Sequence, residues 1–189
     1  MEDARIRIVH ESEATGETAE LYREISEYFG FGTVPDIFKL VSIRPEFLRV
    51  VWSGYKAMFD GGVLPRQVKE MMATVVSWSN SCQYCTAVHA NFLQAAGGTA
   101  EAAAAAETGD VDALPIEDKY RILIQLAEKV TEHAYKVTVD DIAELHAAGL
   151  SDEELLEGVF VASLFNAINR IADTLGLKEL MQLHDRVHR

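Results

Sequence analysis

Apolar positions along the chain recur at three- and four-residue intervals and nowhere alternate strictly, so the pattern predicts helices throughout and no half-buried strand. Leu21, Ile25, Tyr28 and Phe29 form one such stripe, which Gly30 and Gly32 break ahead of Pro35, so the first helix ends near Phe29. Short helical turns bridge Asp36 to Ile43. Pro45 suits the first turn of a second long helix through Phe47, Leu48, Val51, Tyr55 and Met58, stopped by Gly61 and Gly62. Pro65 opens the next, whose stripe of Val68, Met71, Met72, Val75 and Val76 runs up to Trp78 with Glu70 inside it.

Ser79, Asn80 and Ser81 are good N-cap types, so a turn is expected there, followed by a helix from Cys82 to Ala96 closed by Gly97 and Gly98. Both cysteines then fall in its first turn. Thr99 caps a short alanine-rich helix ending at Gly109, and a longer one carries Ile122, Leu123, Leu126, Ala127 and Val130. Thr138 with Asp141, and Ser151 with Glu154, have capping-box spacing and announce helices over Val139 to Ala148 and Leu155 to Leu175. The expected fold class is all-α. A weak internal echo links the capped start Leu64-Pro-Arg-Gln through Trp78 with Leu150-Ser-Asp-Glu through Leu164, a degenerate helical repeat.

Length and composition sharpen this picture. A chain of 189 residues, 49% hydrophobic, buries one substantial core, so a single compact domain is expected over 1–189, with 1–40 as an N-terminal helical extension and 41–180 as the core. The formal charge of -13 repels phosphate backbones and anionic headgroups, which argues against nucleic acid or membrane partners. The longest apolar runs, Met71 to Val76 and Gly158 to Phe165, fall short of the roughly 20 residues that span a bilayer. Met1 to Thr15 has no basic segment followed by an apolar one, so no signal peptide is expected and the location follows as cytoplasmic.

In that compartment thiols stay reduced, so the two cysteines, Cys82 and Cys85, read as redox or metal chemistry rather than as a structural staple. At 100° per residue, Cys82, Cys85 and His89 fall within an arc of roughly 60° on one helix face, while Tyr84 points well away. A helix N-terminus and a neighbouring imidazole are the usual means of making a thiolate, and His89 lies one turn beyond Cys85. An imidazole in that role is best held by a carboxylate, for which Glu70 on the preceding helix is the candidate. The same face continues into Phe92, Leu93 and Ala96, so His89 also fits a satisfied core histidine. The same four side chains also suit a zinc tetrahedron, although three would share one helix. Haem attachment fails because Thr86 follows Cys85, and a thioredoxin frame needs a strand where a helix is predicted.

The spacing Glu70, eleven residues, Cys82-Gln83-Tyr84-Cys85, three residues, His89 resembles the signature of the AhpD-like alkylhydroperoxidases of the carboxymuconolactone decarboxylase superfamily. The strings from Ser79 to His89 and from Phe165 to Asp173 resemble its peroxidase-related branch, over roughly residues 40 to 180. The resemblance implies a thiol-dependent peroxidase. Cys85 would be the peroxidatic cysteine; Cys82 would protonate the leaving oxygen and close the disulfide. His89 and Glu70 would relay the proton. It implies no cofactor and no metal, a small hydroperoxide substrate, a thiol or dithiol reductant, and a homo-oligomer, trimer or hexamer. The alternative function is a metal-binding or redox-sensing, disulfide-exchanging protein. Mycobacterial-type relatives resemble this pattern but carry a histidine where this chain has Tyr84. Tyr84, Trp78, Asn166 and Asn169 are the expected substrate-pocket residues, with Arg170 beside them, and Trp52 and Phe59 are further candidates for a channel wall.

Overall fold

The structure, a computed structural model, describes residues 4–30 and 32–177; the last three residues of the expected 41–180 core lie outside the described residues. Among the described residues there are nine α-helices and no strand: α1 Gly16–Phe29, α2 Asp36–Val41, α3 Pro45–Phe59, α4 Arg66–Ser79, α5 Gln83–Ala95, α6 Ala100–Glu107, α7 Asp118–His133, α8 Val139–Ala147 and α9 Asp152–Leu175. Side-chain caps set the starts of α6, α8 and α9. The Thr99 hydroxyl accepts from the Ala102 N–H at 3.1 Å, and Thr138 with Asp141 and Ser151 with Glu154 form reciprocal capping boxes. The α1 helix ends in left-handed Gly30.

The α4–α5 junction departs from the sequence reading. None of Ser79, Asn80 and Ser81 caps α5. Ser79 still belongs to α4, with its hydroxyl donating back to the Val75 carbonyl at 3.0 Å. Asn80 closes α4, Ser81 takes a left-handed conformation at φ 60, and Cys82 itself is the N-cap residue. The Asn80 side chain is turned to α9 instead, its amide donating to Asn166 at 2.8 Å and to Asn169 at 2.9 Å.

The centre of the molecule is α4, which packs against α5, α6, α7 and α9. Every residue from Val68 to Ser77 is buried, so its polar members need partners inside the protein. Thr74 donates to the Glu70 carbonyl at 2.8 Å, and Ser77 accepts from Asn169 at 3.0 Å. The described residues before α3 are tied to this core. Tyr22 and Ile25 of α1 and Phe38 of α2 are buried, and the Tyr22 hydroxyl meets the Val9 carbonyl at 2.8 Å and Ser42 at 2.6 Å.

Polar interruptions hide the length of α9 from a search for apolar runs. By length and composition alone this 24-residue helix is long enough to cross a bilayer. It instead packs against α4 and α7 through one face, burying Val161, Ala162, Phe165 and Ala172.

A buried ion pair pins α9 to the α3–α4 loop. Lys69, 2% exposed, donates to the Gly61 carbonyl at 2.5 Å and to Glu157 at 2.8 Å. The other Glu157 oxygen accepts from the Val63 and Leu64 N–H groups at 2.7 and 3.0 Å. Gly62 makes room: its φ is +92, and a Cβ there would sit 2.1 Å from the Glu157 carboxylate. Glu157→Ala strands the Lys69 charge and two loop donors, and is expected to cost about 2 to 3 kcal/mol in urea unfolding at pH 7. Burial raises the carboxyl of Glu157, but Lys69 and the two N–H groups outweigh it and hold the group below its ordinary 4.5. This contribution is therefore fully present above about pH 4.5 and is lost as pH falls through the lower folded value. The penalty of the mutation should shrink in the same range.

Candidate active site

The tight α4–α5 turn sets the two sulfurs. Left-handed Ser81 turns the chain sharply enough for the Cys82 N–H to reach the Ser77 carbonyl at 2.9 Å. The Cys82 carbonyl takes the Thr86 N–H at 3.0 Å as the first helical bond of α5. Cys82 is thus the cap and Cys85 the third residue of the helix, with both thiols free and buried. The Cys82 thiol is pushed well up from its ordinary value. A hydrogen bond to Cys85 holds its proton, and burial and the proximity of a charge on Cys85 act in the same direction.

One turn further, His89 is 7% exposed and meets Glu70 of α4, with Nδ1 2.7 Å from Oε2. Glu70 has no exposed surface, and its other oxygen accepts from Arg66 Nε at 2.7 Å. The guanidinium lies over the Phe59 ring at 4.3 Å and donates to the Tyr55 hydroxyl at 3.4 Å. The imidazole is clamped by rings, with Phe165 edge-on at 4.5 Å and Phe59 stacked at 6.0 Å. Its orientation is therefore fixed by packing as well as by the carboxylate. Both oxygens of Glu70 are already spent, one on His89 and one on Arg66. Among the described residues no three His, Cys, Asp or Glu side chains gather as a metal-holding set.

Cys85 and His89 face one small, partly open cavity of about 30 Å³, room for a water or two as it stands. Its lining is otherwise apolar apart from the phenols Tyr55 and Tyr84, and four residues from the α1–α2 region, Phe29, Pro35, Ile37 and Phe38, help to wall it. Cys82 is not part of that lining.

Of the expected pocket residues, Tyr84 lines this cavity, although the helical wheel turns it away from the sulfurs. Burial of α5 on more than one face brings the two together. Trp78, Asn166 and Asn169 lie outside the lining. Trp78 is 46% exposed, and its ring lies against Gly109, where a Cβ would fall 2.3 Å from it. Asn166 and Asn169 are held by Asn80, and Asn166 donates on to Thr131 at 3.0 Å. Arg170 donates to Asn166 at 3.0 Å and to its carbonyl, rather than pairing with Asp173. Trp52 is core, 1% exposed, and Phe59 backs His89 from outside the lining. Arg66 was not foreseen. Its position one turn before Glu70 on the same helix face was the available signal.

This architecture has known counterparts. Residues 45–115 match the carboxymuconolactone decarboxylase family. Over 91 residues, 48% of the chain, it is 34% identical to an alkyl hydroperoxide reductase of Mycobacterium tuberculosis, and the matched part is 26% of that relative's length. The chain superposes on an uncharacterized peroxidase-related protein of Silicibacter sp. TM1040 with a TM-score of 0.87 at 21% identity, covering 98% of this chain and 96% of the other. A peroxidase-related protein with an alkylhydroperoxidase AhpD core, from Ralstonia eutropha JMP134, gives 0.86 at 22% identity, covering 95% and 94%. The fold is therefore AhpD-like, a single all-helical domain. In this AhpD-like frame the family match takes in α4 and α5, with Glu70, both cysteines and His89.

Proposed function

We propose that the protein is a thiol-dependent peroxidase acting on small organic hydroperoxides, with Cys85 as the attacking sulfur. The observation that carries this reading is that Cys85 shares an apolar cavity with a carboxylate-held His89, while Cys82 lies outside the lining with its proton retained. His89 takes the Cys85 proton, and the sulfur attacks the terminal peroxide oxygen. The S–O bond forms as the O–O bond breaks, and the departing alkoxide takes the Cys82 proton to leave as an alcohol. The Cys82 sulfur then displaces hydroxide from the Cys85 sulfenic acid, His89 returns its proton to make water, and a disulfide closes. An external dithiol reopens it by exchange. An apolar lining favours an alkyl group beside the peroxide over a fully polar substrate.

The test is to follow tert-butyl hydroperoxide loss with dithiothreitol present, and to count free thiols by mass spectrometry after one equivalent of peroxide. Catalysed loss with reversible disappearance of both thiols is expected. Metal-free protein whose thiols survive the peroxide, or stoichiometric zinc that blocks thiol labelling, would overturn the proposal; the latter result favours a metal-binding module.

A further inference from the structure

The surroundings of Tyr84 give it a task of its own. Tyr84 is the second residue of α5, directly before Cys85, is 3% exposed and lines the same cavity. Its oxygen accepts the Ile37 N–H at 3.3 Å. Among the described residues, its own O–H makes no hydrogen bond. A buried donor left unspent is costly, and a ligand oxygen entering the cavity would satisfy it. The other phenol of the lining, Tyr55, meets Arg66 at 3.4 Å, and the largest charge effects on it are those of Glu70 and Arg66. Those acting on Tyr84 are Asp36 and the two cysteines.

We infer that the Tyr84 hydroxyl is the hydrogen-bond donor that seats the departing oxygen of the hydroperoxide beside Cys85, an assignment that rests on the peroxidase reading. The alkoxide oxygen gains negative charge as the O–O bond breaks, and a fixed donor in a mostly apolar cavity stabilises that charge without having to reorganise. The Ile37 N–H polarises the phenol and strengthens its donation. Burial holds the phenol well above its ordinary ionisation range, so it keeps its proton and only donates the bond. The proton that leaves with the alcohol remains that of Cys82. The phenol therefore sets which electrophiles Cys85 meets efficiently, favouring those that carry an oxygen on the leaving side.

The experiment compares wild type with Tyr84→Phe, which keeps the ring and removes the oxygen, using two electrophiles in single turnover on the full chain. With tert-butyl hydroperoxide, oxidation of Cys85 is expected to slow by about 10- to 100-fold. With iodomethane, which offers no oxygen to the phenol, Cys85 alkylation is expected to stay within about twofold. Incorporating 3-fluorotyrosine at position 84, which retains the hydroxyl, should keep the peroxide rate within about threefold of wild type. Equal peroxide rates in a reactive wild type and Tyr84→Phe would overturn the assignment alone. So would a parallel fall with both electrophiles, which would make the hydroxyl only an anchor for Ile37. A wild type that iodomethane alkylates but peroxide does not oxidise would overturn the peroxidase reading, and the assignment with it.

Discussion

Cys85→Ser is expected to abolish hydroperoxide turnover, with a fall of at least about 10³-fold to the background reaction of the dithiol itself. A serine hydroxyl does not ionise usefully at neutral pH and is a far poorer nucleophile toward peroxide oxygen than a thiolate. Nothing else in the cavity lining replaces the sulfur. Cys82→Ser should behave differently. Its Cys85 still meets peroxide once, more slowly for want of the Cys82 proton, and then stops as a sulfenic acid that a dimedone-type reagent traps. The pair of variants therefore separates attacking from resolving thiol. A sulfenic acid trapped on Cys82 in the Cys85→Ser protein, with turnover preserved, would reverse the two roles.

The α5 helix shows why these roles are hard to divide from sequence. Proximity to a helix N-terminus singles out Cys82, the residue nearer the start. The structure adds two terms that no local pattern contains: the hydrogen bond that keeps the Cys82 proton, and a cavity that touches only Cys85. Features set within a turn or two of chain were legible, among them the caps at Thr99, Thr138 and Ser151, the glycine stop after α1 and the Cys-x-x-Cys-x-x-x-His face. Features set by distant segments were not. Asn80 serves α9 instead of α5 because Asn166 and Asn169 arrive from the far end of the chain. Phe29, Pro35, Ile37 and Phe38 wall the cavity only because α1 and α2 dock there, and nothing in their spacing announces it. Trp78 reads as a core or pocket aromatic from its place on an apolar stripe, yet it lies at the end of α4 where the helix leaves the core, against Gly109. Glu70 was legible through its separation from the cysteines. Its second partner, Arg66, lies one turn away, at a spacing where ion pairs are so common on solvated faces that the pattern does not mark a site.

On the proposed mechanism, that arrangement gives Glu70 two tasks, one in activity and one in stability. Glu70→Gln keeps the shape and removes the charge that would face an imidazolium once His89 has taken the Cys85 proton, so peroxide reactivity is expected to fall about 10²-fold with the fold intact. Glu70→Ala should lose as much activity and, in addition, about 3 to 5 kcal/mol of stability in urea unfolding, because it leaves two groups of a buried cluster without their acceptor. The two halves of that loss are unequal. The Arg66 side chain is 35% exposed, so water screens its stranded charge. The His89 side chain is 9% exposed and enclosed by Phe59, Phe92 and Phe165, so its Nδ1 has nowhere to turn. Glu70→Asp should resemble Gln in activity although it keeps the charge. A carboxylate one methylene shorter does not span from Arg66 at 2.7 Å on one oxygen to His89 at 2.7 Å on the other. Wild-type peroxide rates in both Glu70→Gln and Glu70→Asp would reduce Glu70 to a packing residue and leave His89 to act without it.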